Sequence, residues 1–84
     1  MSDPAHRVVV YAREDCHLCA RAHETVERVA GDRADVAVET VDVDEDPDLR
    51  ATYGDRVPVV AVDGADAFEV RVDADDLRAR LDAA

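Results

Sequence analysis

The sequence contains no lysine and no tryptophan among its 84 residues, and its aromatic residues are limited to two tyrosines and one phenylalanine. Asp and Glu together number 21 against 10 basic residues, which gives a formal net charge of −11. This charge excludes nucleic acid and anionic membranes as partners, because both are negatively charged themselves. We interpret the excess acid as a source of solubility. An electrostatic preference for a basic partner protein is the alternative interpretation.

Long apolar runs are also missing from the sequence. No stretch approaches the roughly 18–20 apolar residues that a membrane span requires, and Met1–Arg7 lacks the basic and then apolar layout of a signal peptide. We therefore expect a cytoplasmic protein, in which two cysteines are more typical of catalysis or metal binding than of a structural disulfide. The chain length and its 48% apolar composition predict one domain over residues 1–84, with a core at about residues 7–82. We expect this domain to be a monomer.

The two cysteines stand three positions apart in Cys16-His17-Leu18-Cys19, between an apolar run and a segment with helical periodicity. A strand that ends before Cys16 brings its sulfur to the surface. The helix that begins there directs unpaired N–H groups and the positive end of its dipole toward this sulfur, which favours a thiolate. Because three residues are just under one helical turn, Cys19 lies within reach of Cys16, as disulfide exchange requires. The motif therefore predicts a redox-active pair.

Hydrophobic periodicity predicts seven elements in the order strand, helix, strand, helix, strand, strand, helix. Their predicted bounds are Arg7–Ala12, Cys16–Ala30, Val36–Val43, a short helix opened by Asp44-Glu45-Asp46-Pro47, Arg56–Val62, Phe68–Val72 and Ala74–Asp82. Met1–His6 is expected to be a loose lead-in. The first helix is long enough to connect two parallel strands, so we expect the first two strands to be parallel.

Residues with known capping and burial preferences mark the ends and the inner faces of these elements. The predicted helix N-caps are Asp15, Asp46 and Asp73, the predicted helix ends are Gly31 and Gly54, and the predicted hairpin turn is Asp63-Gly64. Gly31 is expected to be left-handed, as is common after a helix. The side chains predicted to be buried are Cys19, Ala22, Val26, Val29, Leu49, Tyr53, Leu77 and Leu81.

The order of elements and three sequence segments together resemble the thioredoxin fold, and most closely the small glutaredoxin-like proteins. The segments are Tyr11–Cys19, Val41–Pro47 and Val57–Val59, with Val-Pro just before the core of the third strand. The resemblance covers about residues 7–82. It implies an α/β protein of thioredoxin-like fold, with the order β-α-β-α-β-β-α and a four-stranded mixed sheet flanked by three helices. It also implies the activity of a thiol–disulfide oxidoreductase.

By position, the resemblance assigns roles to five residues. Cys16 is implied to be the attacking thiol and Cys19 the resolving thiol. Pro58 is implied to follow a cis peptide bond and to lie against the dithiol, while Val57 offers its backbone to an extended substrate segment. Arg13 stands where glutaredoxins carry a lysine that contacts a carboxylate of glutathione. Arginine can make such a contact through two hydrogen bonds.

Other positions depart from the glutaredoxin pattern. His17-Leu18 replaces the usual Pro-Tyr, and Arg56 replaces the threonine that usually precedes Val-Pro. Arg71-Val72 stands in place of the Gly-Gly pair that receives the γ-glutamyl end of glutathione. As an imidazolium, His17 would stabilise the Cys16 thiolate. The alternative is a solvent-exposed histidine with little effect on the thiol.

Two other functions stay open from the sequence. His23 lies four residues after Cys19 and seven after Cys16, so a helix would place all three on one side, where they could hold zinc or cuprous copper. A non-enzymatic adaptor that keeps only the thioredoxin fold is the second alternative. For the oxidoreductase we assign no metal site and expect no bound cofactor. Its expected reductant is glutathione or another low-molecular-weight thiol, and its expected partner is a disulfide-containing protein or such a thiol.

Overall fold

The computed structural model describes residues 5–83, which form a four-stranded sheet and three α-helices. In chain order the elements are β1 (His6–Ala12), α1 (His17–Gly31), β2 (Val36–Asp42), a 3₁₀ turn (Val43–Glu45), α2 (Pro47–Tyr53), β3 (Val59–Val62), β4 (Ala65–Glu69) and α3 (Ala74–Ala83). This order confirms the one predicted from periodicity. Of the predicted lead-in, residues 1–4 lie outside the described chain, and His6 already belongs to β1. Across residues 5–83, no helix combines the length and the apolar character needed to cross a membrane.

The four strands lie side by side in the order β2-β1-β3-β4. β1 runs parallel to β2 and antiparallel to β3, and β3 runs antiparallel to β4, so the sheet is mixed as expected. Tyr11, near the end of β1, lies opposite Val41 of β2 and Val59 of β3. The first residue of β3 is therefore at the end of the sheet where β1 and β2 finish. The turn from β1 into α1 leaves the sheet at this same end.

The main hydrophobic core lies between the sheet and the helices α1 and α3. Alternate valines of β1 and β3 pack against inward residues of both helices, and the buried members of this cluster are Val8, Val10, Val26, Val29, Val60, Val62, Leu77 and Leu81. Cys19 and Ala22 are also buried, which confirms the inner face predicted for α1. Because side chains alternate along a strand, Val59 and Ala61 point to the opposite side of the sheet, where they too are buried.

α2 buries less of its surface than the sequence predicts. Leu49 and Tyr53 are only partly buried, and none of the seven residues of α2 is fully buried, because a two-turn helix covers little of the sheet. The Tyr53 ring stacks on Tyr11 with its centre 4.3 Å away, while its hydroxyl donates to Asp66 Oδ1 at 3.3 Å. Partial burial raises the pKa of Tyr53, and the Asp66 carboxylate raises that pKa further.

β3 starts later than predicted. The sequence predicts a strand from Arg56, whereas β3 begins at Val59. Arg56 belongs to a turn instead, because its backbone N–H donates to the Tyr53 carbonyl at 2.8 Å rather than to a neighbouring strand. The apolar run is therefore only partly a strand, and its first residues form the loop between α2 and β3.

β4 lies three residues earlier than predicted. The sequence predicts a strand from Phe68, whereas β4 begins at Ala65, directly after the turn Asp63-Gly64. Because the turn contains only two residues, Ala65 already pairs with Val62 across the hairpin. The strand ends at Glu69, because Val70 has a φ of 67° and leaves the extended conformation.

The predicted ends of α1 are wrong at both termini. The N-cap is Cys16 rather than Asp15, which instead has a left-handed backbone with a φ of 58°. Gly31 is the last helical residue and is not left-handed. A left-handed residue is unnecessary there, since the Asp32 N–H bonds back to the Val29 carbonyl at 3.3 Å. Of the other predicted helix boundaries, the N-caps Asp46 and Asp73 and the helix end at Gly54 are confirmed, whereas α3 ends at Ala83, one residue later than predicted.

Asp63 ties the β3–β4 turn to the start of β1. It and Gly64 form the predicted turn, with φ values of 52° and 89°. The Asp63 carboxylate accepts hydrogen bonds from His6 Nδ1 at 2.8 Å and from the Arg7 backbone N–H at 2.9 Å. The His6 bond, followed by the backbone bond, lowers the pKa of Asp63 below its ordinary value of 3.8.

Asp63→Asn is expected to lower the stability of the protein near neutral pH. A carboxyl with a lowered pKa stabilises the folded chain above its ordinary pKa, and this contribution is lost as the pH falls through the folded value. The difference between wild type and variant should therefore stay constant down to about pH 5 and shrink as the pH falls through the ordinary pKa of 3.8 and below it. Asparagine tolerates the left-handed backbone, so the turn should persist. Urea unfolding measures the difference, and a value independent of pH would contradict this role of the carboxylate.

Candidate active site

Cys16 and Cys19 lie together where β1 leads into α1. Their sulfur atoms are at disulfide-bonding distance, and their Cα atoms are 5.2 Å apart, within the range that a disulfide spans. Cys16 has an extended backbone as the N-cap of α1, and its Sγ accepts a hydrogen bond from the Cys19 backbone N–H at 3.1 Å. A cysteine sulfur thus takes the capping position that the sequence assigns to the carboxylate of Asp15.

The two sulfurs differ in their exposure. Cys16 is partly exposed, whereas Cys19 faces the core and only 4% of its surface is accessible. In the reduced protein, the N–H that caps Cys16 and the positive end of the helix dipole favour a thiolate at this position. The geometry is therefore compatible with redox chemistry that starts at Cys16. The individual roles of attacking and resolving thiol stay predictions.

Val57 and Pro58 lie just before β3, at the end of the sheet that also carries the cysteine turn. The peptide bond between them is cis, as the resemblance implies, and Pro58 is buried. Antiparallel pairing sets their position, because Val59 lies opposite Tyr11 near the end of β1. The Pro58 carbonyl accepts a hydrogen bond from the Val70 N–H at 2.8 Å. The contact of Pro58 with the dithiol and the substrate role of Val57 stay predictions.

Arg56 fastens the loop that connects α2 to β3. Its guanidinium donates to the Thr52 carbonyl at 2.8 Å and pairs with Glu69 of β4. It also lies over the Tyr53 ring, 5.3 Å from the ring centre, where a cation is attracted to the π-system. Arg56 therefore joins the end of α2 to β4 and supports the loop that precedes β3. This is a positioning role that the sequence does not reveal.

Arg13 and His17 lie on either side of Cys16 along the chain. Arg13 follows β1, and its Nε lies 3.1 Å from Asp44 Oδ2, so a carboxylate of the protein already engages its guanidinium. It also lines a pocket of about 190 Å³ together with Glu14. His17 is the first residue of α1 and is exposed. The binding roles predicted for Arg13 and His17 stay predictions.

The structure does not form the metal site considered as an alternative. His23 Nε2 lies 3.3 Å from Glu27 Oε1, one turn farther along α1. Within the described chain, no group of three or more His, Cys, Asp or Glu side chains is arranged to hold a metal ion. Cys16 at the N-cap of α1 and Cys19 and His23 within the helix therefore do not converge on one point, and the His23 imidazole lies beside Glu27 instead.

The sequence matches the family model described as Glutaredoxin-like domain (DUF836) over residues 7–82. The chain belongs to this glutaredoxin-like family. An uncharacterized protein of Mycobacterium bovis is 36% identical over 86 residues, which cover 96% of this chain and 86% of that protein. The resemblance drawn from the cysteine motif, the Val-Pro pair and the order of elements is thereby confirmed.

Solved structures of similar proteins have the same fold as this glutaredoxin-like protein. A structural-genomics target protein from X. campestris is 40% identical, with a TM-score of 0.74, and the match covers 92% of this chain and 97% of that chain. A mutant thioredoxin from Halobacterium salinarum is 29% identical, with a TM-score of 0.70, and the match covers 95% of this chain and 74% of that chain. These similarities confirm the α/β thioredoxin-like fold.

A groove of about 270 Å³ lies beside the cysteine motif of this glutaredoxin-like protein. Its walls are the first half of α1, with Leu18 and Arg21, and the segment between β4 and α3, with Val70 and Arg71. Leu18 and Val70 are exposed at 41% and 43%, and they are the large apolar side chains that residues 5–83 leave exposed. The sequence gives one signal for the groove, an outward-facing leucine on α1. No local signal marks Val70.

Proposed function

We propose that this glutaredoxin-like protein is a thiol–disulfide oxidoreductase that works by dithiol exchange through Cys16 and Cys19. The observation that carries the proposal is the position of the pair, with sulfurs at bonding distance at the N-terminus of α1, Cys16 partly exposed and Cys19 buried. The Cys19 N–H, 3.1 Å from Cys16 Sγ, offers a hydrogen bond to a thiolate. Two-step exchange requires one accessible nucleophile with a second thiol within reach.

The proposed reaction transfers two electrons from the dithiol to a target disulfide. The Cys16 thiolate attacks one target sulfur, a mixed disulfide forms, and the other target sulfur leaves as a thiolate that takes up a proton. Cys19 then loses its proton and attacks Cys16 Sγ, which releases the second target sulfur as a thiol and leaves Cys16 and Cys19 joined. Glutathione, another low-molecular-weight thiol or a reductase restores the dithiol.

The proposed substrate is a disulfide-containing protein or a low-molecular-weight disulfide in the cytoplasm. Val57 and Pro58, at the end of the sheet that carries the cysteines, are proposed to support an extended substrate segment. Arg13 is proposed to bind a carboxylate of the small thiol, which requires it to exchange its partner Asp44. His17, exposed at the start of α1, is proposed to favour the thiolate when the imidazole is protonated.

Cys19→Ser provides the direct test, because removal of the resolving sulfur should stop the reaction at the mixed disulfide. We expect that incubation of this variant with insulin, followed by mass spectrometry without reductant, shows a covalent adduct on Cys16. Cys16→Ser is the matched control and should trap nothing. No adduct in Cys19→Ser, together with an adduct on Cys19 in that control, would reverse the two roles. Failure of both variants to form any adduct would contradict exchange and favour the non-enzymatic adaptor.

A further inference from the structure

We propose that the groove between α1 and the β4–α3 segment binds an extended segment of the target protein that carries an apolar side chain and carboxylates close to its cysteine. This inference rests on the oxidoreductase function proposed above and names the substrate class of the same site. The groove begins at Leu18, which lies between the two cysteines, and continues past Arg21. A target cysteine bonded to Cys16 therefore brings its neighbouring residues to this groove.

Two exposed apolar side chains make the groove suitable for an apolar residue of the target. Leu18 stands on α1 and Val70 on the facing segment, and both line the groove. The other large apolar side chains of the described chain are at least partly buried. Exposed apolar surface that is gathered in one concave place beside a reactive centre is typical of a binding site.

The backbone holds Val70 in its exposed position despite strain. Its φ of 67° lies in the left-handed region, where a β-branched residue is rarely found. Its N–H donates to the Pro58 carbonyl at 2.8 Å, so this wall of the groove is tied to the loop that we propose supports the substrate backbone. A left-handed backbone at a valine is energetically costly, and strained residues often lie at functional sites.

Both walls of the groove carry an arginine, although the chain has a net charge of −11. Arg21 and Arg71 are exposed, and neither forms an ion pair with any other residue between 5 and 83. Other arginines of the described chain also have no ion pair, but only these two line the groove. Two guanidinium groups that line the same groove and are not neutralised by an ion pair attract carboxylates to it. The total charge favours a basic partner, but the groove favours acidic residues beside the target cysteine.

Helix geometry sets the spacing between the cysteine and the carboxylate in the target. Arg21 comes five residues after Cys16, and a helical rise of about 1.5 Å per residue places it about 7.5 Å farther along α1. An extended chain advances about 3.3 Å per residue. For a target segment that runs parallel to the axis of α1, the carboxylate is therefore expected about two or three positions from the target cysteine.

The test uses synthetic peptides with one cysteine, one leucine and variable residues two and three positions from the cysteine. The variable residues are Glu, Gln or Lys, and each peptide is supplied as its disulfide with 2-mercaptoethanol. The rate constant for oxidation of the reduced wild-type protein is measured at low and at high salt. We expect the Glu peptide to react about fivefold faster than the Lys peptide at low salt, as two exposed ion pairs would give, and the difference to shrink at high salt.

Charge-reversed variants show whether the groove causes the preference. Arg21→Glu should abolish the preference for the Glu peptide. Arg28→Glu is the matched control, because Arg28 is an exposed residue of the same helix that does not line the groove and has no ion pair in the described chain. This control makes the same change in net charge and should retain the wild-type preference. Leu18→Ala should slow the reaction of all three peptides.

The possible failures of the two proposals are distinguishable. Equal rates for the Glu and Lys peptides in the wild type would overturn the groove proposal and leave the oxidoreductase function standing. A preference that survives Arg21→Glu, or that disappears equally in Arg28→Glu, would also overturn the groove proposal. If neither the peptides nor hydroxyethyl disulfide oxidise the protein, the proposed function fails and the groove proposal fails with it.

Discussion

Cys16→Ser is expected to reduce catalysed disulfide exchange on the order of 100-fold or more, to the uncatalysed background. The reaction depends on a sulfur that ionises, attacks a disulfide and later leaves as a thiolate, and a serine hydroxyl does none of these at neutral pH. The measurement is the rate at which catalytic amounts of protein reduce insulin when glutathione is supplied as the reductant, compared with the wild type.

The fold should tolerate this substitution, so a loss of turnover would reflect the missing thiol rather than unfolding of the protein. Cys16 is the N-cap of α1 and its sulfur accepts the Cys19 N–H, and serine is among the preferred N-cap residues. Unfolding curves of Cys16→Ser should therefore match or slightly exceed those of the reduced wild type. A variant that stays folded and keeps more than about a tenth of the wild-type turnover would remove Cys16 from the proposed mechanism.

Leu77→Ala is expected to lower the free energy of unfolding by about 2–5 kcal/mol. Leu77 is only 1% exposed and belongs to the cluster that joins α3 to the sheet and to α1. A domain of 84 residues has a total stability of roughly 4–12 kcal/mol. The expected loss is therefore a large fraction of the free energy of unfolding, because the substitution removes buried methyl groups and leaves a cavity. Urea unfolding at a single temperature and pH measures the loss.

Leu18→Ala is the matched control for this stability measurement. The same atoms are removed, but Leu18 is 41% exposed on the outer side of α1, and alanine is an excellent helix former. We expect a change of about 0.5 kcal/mol or less. Equal losses from the two substitutions would contradict the core described between the sheet and α3.

The elements that sequence reasoning identified correctly are those with local signals. Asp46 and Asp73 each cap a helix by accepting N–H groups two and three residues onward, so the few residues around each aspartate contain the whole signal. The turn Asp63-Gly64 is equally local, since both residues need a left-handed backbone. The inner face of α1 follows from the helical period alone.

The errors occur where a neighbouring element overrides the local pattern. Asp15 has the chemistry of an N-cap, yet the path of the chain out of β1 gives this position to Cys16. The strand β4 starts at Ala65 because it pairs with β3 immediately after the turn, although the residues from Phe68 onward have the more apolar pattern. In both cases the three-dimensional route of the chain outweighs residue preference.

For the candidate site, the order of residues along the chain was enough to locate the dithiol. Cys16 and Cys19 lie close together because they are about one helical turn apart. The sequence alone indicates that the pair stands after an apolar strand and before a helix. The cis bond before Pro58 came from the family resemblance. The groove could not be predicted from the sequence, because strand pairing between distant segments brings Leu18 and Val70 together. The left-handed backbone of Val70 contributes as well, and nothing in the sequence predicts that conformation for a valine.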